Sequence, residues 1–223
     1  MKAVLMSIQP KWIELIARGE KTIEIRKTKP KLETPFKCYI YCTNDRKVFL
    51  DSDCNNKFWT EKNYGGNHYY NGKVIGEFVC DRIDRIGKRG VNDNFDYCYL
   101  SLNEWGNDDI EIEITDIKKS CISKRELNSY GANATCLYGW HISDLKIYDK
   151  PKELSEFYKP VKYDNVCGAR VVHCGHYQGL ETVDSCEYND GDCSLKGCKE
   201  LRNLYQIKRP PQSWCYVEEL QGE

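Results

Sequence analysis

The sequence predicts an α+β protein in which strands dominate and two short helices lie between them. Several segments alternate apolar and polar residues with the period of two that half-buried strands show, and only two segments carry helical signals. After residue 158 the chain becomes rich in loop residues and cysteine. We therefore predict a globular domain over 1–158 and a loop-rich C-terminal appendage with a docking tail over 159–223.

The first elements are a strand at 2–8, KAVLMSI, and a short helix. Pro10 suits the first helical turn, because its missing N–H would be unpaired there anyway. Gly19 is a natural end for this helix, since glycine readily adopts the conformation that follows a helix C-terminus.

The next segment, GEKTIEIR at 19–26, alternates as a strand does. One side carries Ile23 and Ile25, and the other carries Thr22, Glu24 and Arg26. The polar side has two interpretations. It is either a solvated strand face, whose ion pair contributes less than about 1 kcal/mol, or the floor of a binding cleft.

The remaining elements follow from similar signals. Further strands are predicted at 37–43, 73–86, 110–117 and 138–149. Gly76 indicates a bulge or a close backbone approach, and Ser123 is placed to cap the second helix. Residues 44–72, rich in Asn, Asp, Tyr and Gly, are expected to form a long insertion.

Towards the end of the domain, Pro151 and Pro160 bracket one helical turn. On the closing strand Trp140 is expected in the core and His141 hydrogen-bonded. The last residues are expected to form an extended tail that docks on an apolar surface through Trp214 and Tyr216. Cys215 between them is expected to be a packing residue.

Composition limits the function classes. The chain has 33 basic and 34 acidic residues, a formal net charge of -1, so any nucleic-acid binding must be local rather than driven by a global basic field. A hydrophobic content of 40% is enough for a core. No segment approaches 18 apolar residues and no export signal is evident, which predicts a soluble cytoplasmic protein without a membrane partner.

The 13 cysteines are an odd number, and without an export signal they favour reduced thiols over a disulfide scaffold. Six are expected to be small core residues: Cys38, Cys42, Cys80, Cys98, Cys121 and Cys136. In the appendage, a structural zinc site would stabilise a segment of low apolar content. The preferred ligands are Cys174, Cys186, Cys193 and Cys198, with His176 and His173 as alternates. Two disulfides or free thiols are the competing interpretations.

The segment Gly19–Arg26 fits GxKxxExR, and the chain resembles ASCH domains of the PUA-like superfamily. GKVIGEFVCDRI, GWHISDLKIYDKPKEL and the tail RPPQSWCYVE resemble bacterial and phage members. The resemblance implies a PUA-like β-barrel whose signature segment lines a cleft for RNA or a modified nucleoside. Ligand-binding residues would be Lys21, Thr22, Glu24 and Arg26.

The resemblance also implies an alternative, an enzyme. Some small members are similar to amidohydrolases that act on acetylcytidine, and Lys21 matches their signature lysine. Their threonine position is Glu24 here, so the hydroxyl of that threonine is missing. Thr22, next to Lys21, would supply a hydroxyl in its place. An amidohydrolase for acylated nucleosides, or a ribonuclease, would use Lys21 and Glu24. A third hypothesis is a protein-interaction adaptor that uses the appendage.

Basic and aromatic residues beyond the signature would extend a nucleic-acid surface, or form ordinary solvated faces. The basic residues are Lys27, Lys29, Lys31, Arg82, Arg85, Lys88 and Arg89. The rings of the insertion are Trp59, Tyr64, His68, Tyr69 and Tyr70.

Overall fold

The computed structural model describes residues 1–44, 70–91, 94–101, 110–111, 118–160 and 205–220. These ranges contain ten strands, two α-helices and one 3-10 turn. The strands are β1 (Lys2–Ile8), β2 (Ile23–Arg26), β3 (Phe36–Cys42), β4 (Val74–Cys80), β5 (Ile83–Val91), β6 (Asn94–Ser101), β7 (Ile110–Glu111), β8 (Cys136–His141), β9 (Ser143–Lys152) and β10 (Trp214–Glu218). The helices are α1 (Pro10–Ala17) and α2 (Lys124–Gly131), and the 3-10 turn is Leu154–Glu156.

The strands form two five-stranded sheets. The first has the order β10-β1-β3-β4-β9 and the second the order β2-β8-β5-β6-β7. In the first sheet β1 runs parallel to β3 and antiparallel to β10. Residues 3–8 of β1 are all buried, because apolar clusters cover this sheet on both faces. The strand predicted at 2–8 is confirmed.

Two segments are predicted as single strands, and both predictions are wrong. The structure divides each segment into two strands that belong to different sheets. The segment 73–86 breaks after Cys80, and the segment 138–149 breaks at Ile142. The two breaks lie side by side, since the His141 N–H donates to the Arg82 carbonyl at 2.9 Å. Strands that switch sheets through such bends form the corners between two packed sheets. Side-chain alternation alone does not reveal this bend.

The prediction of a PUA-like β-barrel is therefore corrected in part. Within the described ranges the strand pairing forms two sheets that share two corners, and no single closed barrel is seen. The α+β class is confirmed, because the described ranges contain mixed sheets and few helices.

The two helices begin as predicted. Pro10 is the first residue of α1, and Gly19 just beyond its end has φ +73°, the left-handed conformation that glycine tolerates. Ser123 caps α2 in a reciprocal arrangement with Glu126, whose carboxylate accepts from the Ser123 N–H at 3.1 Å. Leu127 of α2 packs on the outer face of the second sheet.

Gly76 marks a close approach of two strands, as predicted. It lies at a register shift between β4 and β9, and a Cβ at this position would come within 2.5 Å of the Lys146 carbonyl oxygen.

The end of the chain completes the first sheet. β10 pairs with β1 along Lys2↔Glu218 to Met6↔Trp214, and Trp214 and Tyr216 pack against the main apolar core. The predicted packing of Trp214 and Tyr216 on an apolar surface is thus confirmed, whereas the division of the chain at 158 stays a prediction.

The cysteines that the structure describes are free thiols. Cys38, Cys42 and Cys80 are buried as predicted, and burial raises the pKa of Cys42 and of Cys80 to about 12. Cys121 and Cys136 are only half-buried, which corrects their prediction as core residues, since Cys121 occupies a tight turn with φ +56°. The Cys98 side chain and the six cysteine and histidine residues named as zinc ligands lie outside what the structure describes. In the described ranges, none of the helices is long and apolar enough to cross a membrane.

Candidate functional site

The signature segment places its polar side between the two sheets. All four residues of β2 are buried. Ile23 and Ile25 pack with α2 on the outer face, whereas Glu24 and Arg26 point to the inner face with exposed fractions of 6% and 7%. The solvated-face interpretation is therefore wrong for these two residues.

Lys21 is the most deeply buried charged residue of the segment, with an exposed fraction of 1%. Its Nζ donates to the Ile23 carbonyl at 2.8 Å and to the Ser120 carbonyl at 2.6 Å, and lies 3.2 Å from Glu24 Oε2. Two of the three N–H donors of the ammonium are thus paired with backbone carbonyls, and the Glu24 carboxylate is its ion-pair partner. Lys21 thus holds the start of β2 against the turn before α2 and positions the Glu24 carboxylate.

Arg26 connects the same carboxylate to the first sheet. Its Nη2 lies 3.1 Å from Glu24 Oε1 and donates to the Ser7 carbonyl at 2.7 Å, at the end of β1. Its Nη1 donates to Ser213 Oγ at 3.3 Å, next to the start of β10. Glu24 is therefore held between two cations, which compensate for the desolvation of its charge.

Three buried polar atoms of this site have no hydrogen-bond partner in the described part of the chain. They are Glu24 Oε2, Arg26 Nε and Trp140 Nε1. Glu24 Oε2 does lie at ion-pair distance from Lys21, but the contact is not aligned as a hydrogen bond. Because Glu24 pairs with Trp140 across β2 and β8, an acceptor and an indole donor stand side by side. Unpaired buried polar groups cost about 1–3 kcal/mol each, so they need an explanation.

Towards the rim, the inner face of the second sheet becomes basic and aromatic. Tyr138 stands two residues from Trp140 on β8 and is opposite Arg26 on one side and Arg85 on the other. The Lys29 ammonium lies 5.8 Å from the centre of the Tyr138 ring. The hydrogen bond with Cys136 and burial raise the pKa of Tyr138, while the charge of Arg85 opposes this shift.

Two further rings close the site from the first sheet. The Trp214 ring lies 5.8 Å from the Trp140 ring and 5.4 Å from the Tyr216 ring, measured between centroids. Trp214 Nε1 donates to Thr28 Oγ1 at 3.0 Å, and the Tyr216 hydroxyl accepts from the Lys31 N–H at 2.7 Å. Trp214 and Tyr216 are half-buried, whereas Trp140 is fully buried. Trp214 is thus the partly exposed ring next to Trp140.

Some residues that are predicted to bind the ligand or to extend the nucleic-acid surface lie outside this site. Thr22 is half-buried, and its carbonyl accepts from the Ile142 N–H at 2.9 Å at the β8–β9 corner. The Lys27 ammonium lies 5.1 Å from the Tyr130 ring of α2. Tyr70 is 2% exposed in the core, so it is not a surface stacking ring as predicted. The other insertion rings, Trp59, Tyr64, His68 and Tyr69, and the side chains of Lys88 and Arg89 lie outside the described parts.

Arg82 belongs to a separate cluster at the strand corner. His141 Nε2 lies 2.6 Å from Asp84 Oδ2, and Arg82 Nε lies 3.1 Å from Asp84 Oδ1. Burial disfavours the Asp84 carboxylate, but the hydrogen bond and charge of His141 and the Arg82 charge outweigh burial and lower the pKa of Asp84. The prediction that Trp140 is core and His141 hydrogen-bonded is confirmed.

Sequence reasoning missed Tyr138 and Trp214 as parts of the site. A signal existed for Tyr138, since it lies two residues before Trp140 and strand periodicity puts both on one face. No local signal could have placed Trp214, because its neighbours Thr28 and Trp140 are 186 and 74 positions away in the chain.

In the described ranges, no group of three or more His, Cys, Asp or Glu residues could hold a metal ion. The predicted zinc ligands fall outside those ranges.

Comparison with known proteins points to one family. The sequence model for the ASCH domain matches residues 6–200. Similar solved structures include ASCH from Zymomonas mobilis, with TM-score 0.41 and 16% identity over 69% of this chain and 77% of that chain. A mutant of the same protein gives TM-score 0.42 and 16% identity over 70% of this chain and 81% of that chain. No curated protein sequence matches this chain.

Proposed function

We propose that this chain, which belongs to the ASCH domain family, binds RNA or a modified nucleoside at the inner face of the GxKxxExR segment. The observation that carries the proposal is the set of unpaired buried atoms on Glu24, Arg26 and Trp140. A base edge presents both donors and acceptors, so it can pair with the carboxylate oxygen and with the two N–H groups at once.

The energetics favour a bound base over solvent. The three atoms are already desolvated in the free protein, so pairing with a ligand recovers hydrogen bonds without a further desolvation cost for these atoms. The Lys21 and Arg26 contacts hold the Glu24 carboxylate in place before the ligand arrives. Since Trp214 is the partly exposed ring against Trp140, a base reaches these atoms when the Trp214 ring moves aside.

The experiment is a fluorescence-anisotropy titration of a labelled single-stranded RNA octanucleotide with mixed bases. Glu24→Gln retains the side-chain shape and removes the charged acceptor, so we expect an affinity loss of about 10- to 150-fold, from the 1.5–3 kcal/mol of a hydrogen bond to a charged group. Asp84→Asn, on the outer face of the same sheet, is the matched control and should bind as wild type.

A second variant allows the test to be made even if Glu24→Gln does not fold. Trp140→Phe keeps an aromatic ring in the core, a smaller one, and removes the indole donor, which we expect to weaken binding by about 2- to 13-fold. Thermal unfolding of each variant establishes that it is folded at the assay temperature. Folded Glu24→Gln and Trp140→Phe proteins that bind RNA as the wild type does would refute the proposal.

The contacts of Lys21 support the enzymatic alternative less well than they support a binding function. An amidohydrolase or a ribonuclease would use Lys21 as base or proton donor, yet the Lys21 ammonium donates to two backbone carbonyls and is ion-paired with Glu24. Catalysis would require one of these contacts to break. Release of cytidine from acetylcytidine by the intact protein, lost in Glu24→Gln, would establish the enzyme in place of the binding module.

We also propose the structural zinc site in the appendage, with the four cysteines and two alternate histidines named above. Its support is the sequence: thiol and imidazole ligands of zinc type in a loop-rich segment with glycines at positions 175, 191 and 197. A cytoplasmic location and a protein partner for the appendage likewise stay proposals from the sequence.

A further inference from the structure

The unpaired N–H of Trp140 lies beneath a second indole ring. Trp140 is fully buried, and its Nε1 has no hydrogen-bond partner in the described part of the chain. The Trp214 ring packs on it, with 5.8 Å between the ring centroids, and is itself half-buried. A ligand that pairs with the Trp140 N–H must therefore displace a covering group, and Trp214 covers it from the partly exposed side.

The backbone of Trp214 and its side chain are held very differently. The backbone is fixed, because Trp214 pairs with Met6 of β1 and the Ser7 N–H donates to the Ser213 carbonyl at 2.9 Å. The indole N–H has one hydrogen-bond partner in the described ranges, the hydroxyl of the exposed residue Thr28 at 3.0 Å. Motion at this position is therefore a rotation of the ring rather than a displacement of β10.

Thr28 belongs to the loop between β2 and β3, which has few hydrogen bonds. Residues 28–34 make no backbone–backbone hydrogen bond in the described part of the chain, and most of them are exposed. A second hydrogen bond joins this loop to β10, from the Lys31 N–H to the Tyr216 hydroxyl at 2.7 Å, and it is exposed too. Segments with exposed hydrogen bonds and few buried contacts open most easily. The loop can thus release Trp214 while both sheets stay folded.

We infer that the Trp214 ring is a gate over the buried atoms and that the Thr28 hydroxyl is its latch. This inference rests on the proposed function, because it assigns control of access to the same site. In the closed state the ring covers Trp140 and donates to Thr28. In the open state the ring turns away and the Trp140 N–H meets solvent or a ligand. Leu32 of the loop packs against the main core, so the opening stays local.

A latch lowers the apparent affinity for a ligand, because the ligand binds only the open fraction of the protein. Removal of the latch raises that fraction, so binding becomes tighter. Removal of a group that contacts the ligand, or of one that only supports the fold, would instead weaken binding. The sign of the change in affinity therefore distinguishes a gate from both.

The first test needs no ligand. Because the Trp140 N–H has no hydrogen bond to break in the described ranges, its exchange with solvent deuterium, followed by nuclear magnetic resonance, reports how often the gate is open. Thr28→Val keeps the side-chain shape and removes the hydroxyl. We expect the exchange rate to rise about 2- to 13-fold, the range for loss of one neutral hydrogen bond. Thr135→Val, at an exposed threonine just before β8, is the matched control and should leave the rate unchanged.

A second variant tests the other hydrogen bond of the loop. Tyr216→Phe keeps the ring beside Trp214 and removes the hydroxyl that accepts from Lys31. It should also speed the exchange, and the double variant with Thr28→Val should exchange faster than either single variant. Low urea concentrations should hardly change these rates, because opening of the gate exposes little surface whereas global unfolding exposes much.

The second test uses the labelled RNA octanucleotide. Thr28→Val should bind it about 2- to 13-fold more tightly than the wild type, with the gain in the association rate. Thr135→Val should bind as the wild type does.

Three results would overturn the inference. The first is exchange that is unchanged in both Thr28→Val and Tyr216→Phe, which would leave the proposed function intact. The second is wild-type exchange that depends on urea as strongly as global unfolding does. The third is weaker RNA binding in Thr28→Val, which would make Thr28 a ligand contact. Exchange that rises as expected, with no RNA binding by any variant, would support the gate and remove the proposed function.

Discussion

Replacement of Lys21 by Met should unfold the protein at a much lower temperature. The side chain is 0% exposed and its ammonium contacts the Glu24 carboxylate and the carbonyls of Ile23 and Ser120. Met retains most of the volume, so the loss is mainly electrostatic: the Glu24 carboxylate loses an ion-pair partner and two carbonyls lose their donor. Removal of one partner of a buried ion pair costs about 3–5 kcal/mol.

For a chain of this size, about 2–4 °C of Tm corresponds to each kcal/mol, so the expected decrease is roughly 6–20 °C. The assay is thermal unfolding by circular dichroism at pH 7, with urea unfolding to obtain the free energy. The chain offers a matched control in Lys11→Met. Lys11 also lies over the Trp12 ring, but its ion pair with Glu126 is about half exposed. We expect this control to lose less than about 1 kcal/mol.

The reasoning would be refuted if Lys21→Met and Lys11→Met lost similar stability. A stabilised Lys21→Met protein would point instead to a lysine kept for catalysis at the expense of stability.

Three further predictions concern other parts of the molecule. Gly76→Ala should cost about 1–3 kcal/mol of unfolding free energy in urea, because the added Cβ meets the Lys146 carbonyl oxygen at 2.5 Å; unchanged stability would contradict the close approach. Hydrogen bonds from the Ser123 side chain and backbone, then Lys11, lower the pKa of Glu126 from 4.5 to about 2. The contribution of the Glu126 carboxylate to the free energy of unfolding is therefore present above pH 4.5 and is lost as the pH falls towards 2. The Tm difference between wild type and Glu126→Gln should narrow over that window. A difference that stays constant would contradict this prediction. Metal analysis of untagged protein should give about one zinc per chain and lose it in Cys193→Ser; a metal-free, fully folded wild type would remove the zinc proposal.

The alternation in GEKTIEIR was sufficient to assign the two sides of β2. Ile23 and Ile25 do share one face, and Glu24 and Arg26 share the other. Alternation could not show that the polar face is buried, because its cover comes from distant parts of the chain. Ser7, Ser120 and Ser213 supply oxygens from 19, 99 and 187 positions away from the residues that they contact.

Local signals were reliable where the structure depends on neighbouring residues. The α2 cap was predictable because Ser123 and Glu126 have the spacing of a capping box. The corners at Cys80 and Ile142 were not predictable, because a strand that bends from one sheet to the next keeps its side-chain period of two. The division into two sheets depends on long-range pairing that one sequence does not reveal.

The central claim is that RNA pairs with the buried atoms beside Glu24, and the indole N–H of Trp140 reports on it directly. In a nitrogen–proton correlation spectrum this signal can be assigned among the five tryptophans by its loss in Trp140→Phe. We expect it to move when the protein is saturated with the RNA octanucleotide, because an unpaired donor gains an acceptor. A Trp140 signal that stays in place at saturation, while RNA is bound, would contradict the account.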